Sequence, residues 1–201
     1  MRNKLFYTIF YLISLLPLWF LYLLSDFLYF VFYKMFSYRK NVVHQNLVKS
    51  FPNKTLEEIK KIEKNFYSHF CDIIVETIKS LSSSETFFRR HISFKNIEVF
   101  NKFNNDNKSI VLAVAHYGNW EWGLLGISIF AKQKMMGVYK KLNNKRFDQI
   151  MKKIRAKFGS ELVPMQDTLR YLIKTKDECK IIGLLADQRP IKSDSNFFAT
   201  F

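Results

Sequence analysis

From Leu5 to Leu24 the chain runs twenty residues without a charge (LFYTIFYLISLLPLWFLYLL), and as a helix rising ~1.5 Å per residue this stretch would extend ~30 Å. That matches the hydrocarbon thickness of a bilayer. A core helix of a soluble protein seldom stays uncharged on every face over such a length, so lipid accounts for the run better than a buried core does. A second apolar stretch, Phe27 to Tyr33, follows Ser25 and Asp26. The segment therefore reads either as one span with an interfacial continuation or as a long helix lying in the headgroup layer. Trp19 and Tyr7, Tyr11, Tyr22, Tyr29 and Tyr33 suit a membrane interface, and Pro17 should kink or break the helix. Arg2 and Lys4 precede the run while Lys34, Arg39 and Lys40 follow it, which places the body of the protein on the cytoplasmic side. A cleaved signal peptide fits poorly, because the run is too long and no small-x-small site follows it.

The rest of the chain is basic. With 32 Lys and Arg against 17 Asp and Glu the net charge is +15, which excludes an acidic disordered chain and points to a polyanionic partner. No recognised nucleic-acid motif is present, so anionic membrane lipid is the expected polyanion and nucleic acid is not. Cys71 and Cys179 are too few for a disulfide framework or a four-ligand zinc site, which suits a reducing compartment. His44, His69 and His91 have no Cys or carboxylate at ligand spacing and read as structural or surface residues; no metal is expected.

Beyond Lys40 the pattern is that of an α/β protein. Arg39 to Phe51 reads as a short helix ended by Pro52, and Thr55 with Glu58 forms a capping box that opens a long helix with apolar residues three and four apart. The Ser82-Ser83-Ser84 cluster stops it. Short elements follow: a helix near Glu85 to Arg90, a β-like Ile92 to Phe94, and a helix near Asn96 to Phe103. Apolar strands then appear at Ile110 to Ala115, Met135 to Tyr139, Leu162-Val163 and Lys180 to Ala186, separated by helical stretches near Asn119 to Phe130, Asn144 to Phe158 and Asp167 to Thr175. That alternation predicts a mostly parallel sheet covered by helices on both faces. The expected division is a membrane anchor over 1–36, a helical segment over 37–84 and an α/β domain over 85–201.

One segment carries chemistry. Val-Ala-His116-Tyr-Gly-Asn-Trp-Glu121 lies where a strand ends and a helix begins, the place where active sites of open α/β sheets collect. On spacing, Glu121 is able to accept the Nδ1 proton of His116 and leave Nε2 as a base, with Gly118 allowing the tight connection. A core or capping histidine beside a first-turn helix acid has the same spacing. Neither Cys is near, and no Gly-x-Ser-x-Gly elbow exists, which argues against thiol and serine nucleophiles.

As a whole, His116-Tyr-Gly-Asn-Trp-Glu121 resembles the His-x4-Asp/Glu motif of glycerolipid acyltransferases, in the form found in the lipid A biosynthesis (lauroyl/myristoyl) acyltransferase family. Three further segments agree in order: Val138 to Asn144, with Lys140 where the family usually has Arg; Ile154-Arg155 to Gly159; and Leu185-Ala-Asp187-Gln188-Arg189-Pro190. The N-terminal apolar helix and the stretch from Asn46 to Pro52 also fit. The resemblance implies transfer of a fatty acyl group from an acyl carrier protein thioester to a hydroxyl of a lipid A precursor or related glycolipid, without metal or other cofactor, at the bacterial inner membrane. His116 is then the general base and Glu121 its orienting acid. Gly118, Asn119, Trp120, Tyr139, Lys140, Arg155, Asp187, Gln188 and Arg189 are the expected substrate-binding residues, and Trp120 and Trp122 are candidates for an acyl-chain groove. Lys140 keeps the charge of the usual Arg but loses its bidentate grip on phosphate. The segment from Asn196 to Phe201 resembles the block after the Asp-Gln motif, so the C-terminal part of the family fold is expected to be missing, with Phe197, Phe198 and Phe201 lacking their packing partners. The competing expectation is a catalytically inactive or truncated, basic, membrane-associated lipid-binding protein.

Overall fold

The computed structural model describes residues 2–187, so the expectations for Gln188, Arg189, Phe197, Phe198 and Phe201 lie outside the described residues. The chain divides into two compact units, Met1–Ser84 and Glu85–Phe201.

In the first unit, helix α1 (Arg2–Leu15) stops just before Pro17, and α2 (Leu18–Tyr29) starts just after it. Proline lacks the N–H that would continue the ladder, and its ring clashes with the preceding turn. The carbonyls this break leaves without intrahelical partners are taken up by later residues: Lys79 Nζ donates to the Ser14 and Leu16 oxygens at 3.0 and 2.8 Å, and Ser82 Oγ donates to Ser14 O at 2.6 Å. A π-helical turn, Phe30–Met35, continues α2, and Leu18–Met35 is the one helical run among the described residues long and apolar enough to cross a membrane. The helical run of bilayer length therefore shares only residues 18–24 with the uncharged run Leu5 to Leu24 and extends beyond it, because Pro17 divides that run.

Helix α3 (Lys40–Ser50) leads to α4 (Leu56–Lys79), which opens with the expected capping box: Thr55 N–H donates to Glu58 Oε2 at 2.9 Å and Glu58 N–H to Thr55 Oγ1 at 3.3 Å. One side of α2 is tied to α4, where Tyr22 OH donates to Glu76 Oε1 at 2.8 Å and Ser25 Oγ to Asp72 Oδ1 at 2.7 Å. Trp19, Leu23 and Phe27, four residues apart along α2, remain exposed to the solvent.

The second unit begins with α5 (Glu85–His91) and α6 (Glu98–Asn105). Strands β1 (Ile110–Val114), β2 (Lys134–Tyr139), β3 (Glu161–Pro164) and β4 (Lys180–Leu185) then form a parallel sheet in the order β1-β4-β2-β3. Helix α7 (Trp120–Phe130) joins β1 to β2, α8 (Lys145–Arg155) joins β2 to β3, and α9 (Thr168–Lys174) precedes β4 after a 3-10 turn at Met165–Asp167. Alternation along the strands sorts the core. Met135 and Ile181 pack with Ile127, Leu124 and Phe100, whereas their neighbours Met136 and Ile182 pack with Val163, Tyr171 and Leu172. β2 and β4 are packed on both faces over most of their length, in keeping with their continuous apolar runs, but β1 departs from the expected cover: Val111 and Val114 are exposed.

The β-like stretch Ile92 to Phe94 forms no strand. Its side chains close over α7 instead. A Cβ built on Gly126 would meet the Phe94 ring at 2.9 Å and Ile92 Cγ2 at 3.1 Å, so only glycine permits this approach.

Candidate active site

β1 and β4 are neighbours in register, Val114 opposite Leu185, and Ala186 N–H still donates to Val114 O at 2.9 Å. Two residues beyond that pair on each strand stand His116 and Asp187. The carboxylate holds the histidine at two points: Oδ1 lies 2.7 Å from His116 Nδ1, and Oδ2 accepts the His116 backbone N–H at 3.0 Å. An ionised carboxylate only accepts, so the ring proton sits on Nδ1 and Nε2 is the basic nitrogen. These two bonds, the side-chain one first, hold the Asp187 carboxyl below its ordinary range. The imidazole, with its side chain 25% exposed, meets the Trp120 indole edge-on at 5.1 Å between centroids.

The turn behind His116 passes through Gly118 at φ +58°, a left-handed conformation in which a side chain is strained. Asn119 then caps α7, its Oδ1 accepting the Trp122 N–H at 2.9 Å, so this side chain serves the helix. α7 consequently begins beside His116, with the positive end of its dipole there.

The expected contact between Glu121 and His116 is not formed. Glu121, in the first turn of α7, is directed into the interior and paired with Arg155 at the end of α8: Nε donates to Oε2 at 2.8 Å and Nη2 to Oε1 at 2.5 Å. Only 7% of the Glu121 side chain and 21% of the Arg155 side chain are exposed. Burial opposes the Arg155 charge, but the Glu121 bonds outweigh it and raise the guanidinium above its ordinary range. The carboxylate on the histidine is thus Asp187, expected among the substrate-binding residues, and Glu121, expected to orient the histidine, instead ties α7 to α8 through Arg155.

The chain matches the bacterial lipid A biosynthesis acyltransferase family over residues 4–201. It belongs to that family. It is also 24% identical over 160 residues to lipid A biosynthesis acyltransferase 2 of Shigella flexneri, an alignment covering 78% of this chain and 50% of that protein. The chain thus spans about half the length of this curated relative.

The other expected site residues are spread around these pairs. Tyr139 closes β2 and is buried, with Lys152 Nζ 5.4 Å from its ring centroid. Lys140 follows it and is exposed. The loop carrying Lys140 is tied down by Asp148, which accepts the Leu142 N–H at 2.9 Å and pairs with Lys152 at 2.7 Å. The Lys152 bond, then the Leu142 amide, keeps the Asp148 carboxyl below its ordinary range. Arg155 is joined to the motif through Glu121. Trp122 is buried edge-on against Phe87 and Phe88, at 5.7 and 5.4 Å between ring centroids. Among the described residues no group of His, Cys, Asp and Glu gathers to hold a metal ion.

The pairing of Asp187 with His116 joins residues 71 positions apart. No spacing rule reaches across that interval; only the order of strands in the sheet brings the two loops together.

Proposed function

We propose that this protein moves a fatty acyl group from an acyl carrier protein thioester to a hydroxyl of a lipid A precursor or related glycolipid, at the cytoplasmic face of the bacterial inner membrane. The observation that carries the reading is the His116–Asp187 pair at the carboxyl ends of β1 and β4, in a chain of this family. His116 Nε2 takes the proton of the acceptor hydroxyl as its oxygen attacks the thioester carbonyl. Asp187 fixes the ring and stabilises the imidazolium. The positive end of α7 faces the negative charge that forms on the carbonyl oxygen when the carbon is attacked, a stabilisation realised as charge develops. As the tetrahedral intermediate collapses, the C–S bond breaks, the imidazolium returns its proton to the thiolate, and an ester remains on the lipid. Glu121 and Arg155 act as positioning residues that hold the start of α7 against α8. Trp120 shapes the space over the imidazole, while Lys140, Gln188 and Arg189 are the basic and polar candidates for the acceptor's phosphate and sugar. The exposed stripe of Trp19, Leu23 and Phe27 supports membrane association by offering apolar surface to lipid.

The test is acyl transfer by detergent-solubilised protein, with radiolabelled acyl carrier protein and a mixed bacterial lipid extract, comparing wild type with His116→Ala. Loss of the base should slow the reaction by about 10²–10⁴-fold. Transfer by the variant at the wild-type rate, with the helical signal unchanged, would overturn the mechanism.

A further inference from the structure

The N-terminal unit contains a second place where polar groups converge. A cavity of about 380 Å³ is lined by Tyr33, Lys40, Asn41, His44, Lys60 and Glu63. At ~30 Å³ per water in the liquid this is room for on the order of ten waters. Its floor is Glu63, 2% exposed, whose Oε2 meets His44 Nδ1 at 3.0 Å and whose Oε1 lies 3.9 Å from Lys40 Nζ. Since the carboxylate accepts, His44 carries its proton on Nδ1 and is held against α4. Lys40 is fixed a second time, its Nζ 4.1 Å from the centroid of the Tyr33 ring.

Helical spacing explains the arrangement. Lys40 and His44 are four apart on α3, and Lys60 and Glu63 three apart on α4, so each helix contributes a neighbouring pair to one wall. Lys40 and His44 thus face one buried carboxylate, and Lys60 brings a second ammonium group to the cavity wall. A single carboxylate does not neutralise two ammonium groups, and an anion of compact shape with several acceptor oxygens would complete the balance.

We propose that this cavity is a binding site for a phosphate group carried by an anionic lipid. The lipid source follows from its place in the chain: Tyr33 belongs to the final turns of the apolar run Leu18–Met35, and Lys40 and Asn41 follow within a few residues. Burying that run in lipid brings the cavity to the level of the headgroups. The site uses none of the residues assigned to acyl transfer, so it stands or falls independently of that reading.

The experiment titrates the 201-residue protein, in neutral maltoside micelles, with dihexanoyl phosphatidylglycerol, dihexanoyl phosphatidylcholine and inorganic phosphate, by calorimetry. Three proteins are compared: wild type, Lys40→Gln/Lys60→Gln, and the equally charged control Lys95→Gln/Lys102→Gln, whose lysines are exposed in the second unit. Phosphatidylglycerol should bind the wild type and the control alike and the cavity variant about tenfold or more weakly, the loss expected for removing charge-assisted contacts. Lys60→Gln alone, at an exposed position, should lie between, and an unchanged melting temperature shows that its effect is on binding. Inorganic phosphate binding as tightly, with the same dependence on Lys40 and Lys60, would keep the anion site but replace the lipid by free phosphate. Equal weakening in the cavity variant and the control, weakening in neither, or equal binding of phosphatidylcholine would overturn the proposal.

Discussion

The pair between Glu121 and Arg155 offers a decisive perturbation because both charges are largely out of water and each is the other's bidentate partner. Glu121→Leu leaves a guanidinium with 21% of its side chain exposed and no carboxylate, and Arg155→Met leaves a carboxylate at 7%. Stranding one member of a buried pair costs about 3–5 kcal/mol, which shifts the folding equilibrium by about two to four orders of magnitude. Replacing both members by apolar side chains removes the penalty with the charges, so Glu121→Leu/Arg155→Met should return to within about 2 kcal/mol of wild type. Urea unfolding followed by tryptophan fluorescence reads this directly. Trp19 lies in the first unit and Trp120 and Trp122 in the second, so a Trp19→Phe background makes the signal report the Glu85–Phe201 unit alone. The expected coupling in the double-mutant cycle is several kcal/mol. A coupling below about 0.5 kcal/mol, the level at which unconnected sites simply add, would refute the idea that Glu121 acts through Arg155.

Three other outcomes follow from the same geometry. Asp187→Asn should lower kcat for acyl transfer by about 10²–10⁴-fold with KM little changed, since the ring loses its orienting charge; a change confined to KM would place Asp187 on the substrate. Burial pushes the Cys71 thiol from an ordinary value of 9.0 up to about 11, with the Asp72 charge adding to it. The neutral thiol is favoured by folding, so its contribution is complete below pH 9 and is lost as pH rises toward 11; Cys71→Ala should flatten that alkaline loss of stability, and an unchanged slope would contradict the assignment. Gly126→Ala drives a methyl into Phe94 and Ile92 and should destabilise the second unit by about 1–3 kcal/mol in the same urea assay.

Local signals in the sequence served well wherever one element could satisfy itself. The Thr55–Glu58 box, the break at Pro17 and the four apolar strands are all recognisable before any folding is considered, because each depends on residues within a turn or two. Ile92 to Phe94 was misleading for a related reason: two apolar residues alternating with Ser93 look like a strand, but Ile92 and Phe94 pack on Gly126 instead. Trp122, bracketed with Trp120 by position, belongs to a different environment, since its side chain meets the aromatic residues of α5.

The site divides in the same way. The sequence by itself determined that a histidine would stand at a strand end, that Gly118 would allow a tight connection there, and that a helix would start near Asn119. These are local matters of backbone geometry and capping. Tertiary structure decided the partners. Glu121, five residues from His116, was the nearest carboxylate in sequence, yet it enters the first turn of α7 and projects toward α8, where Arg155 meets it. Asp187 lies far along the chain, and parallel pairing of β1 with β4 sets the two loops level. Which carboxylate a histidine meets is fixed by strand order and register, and those depend on how strands distant in the chain pack together.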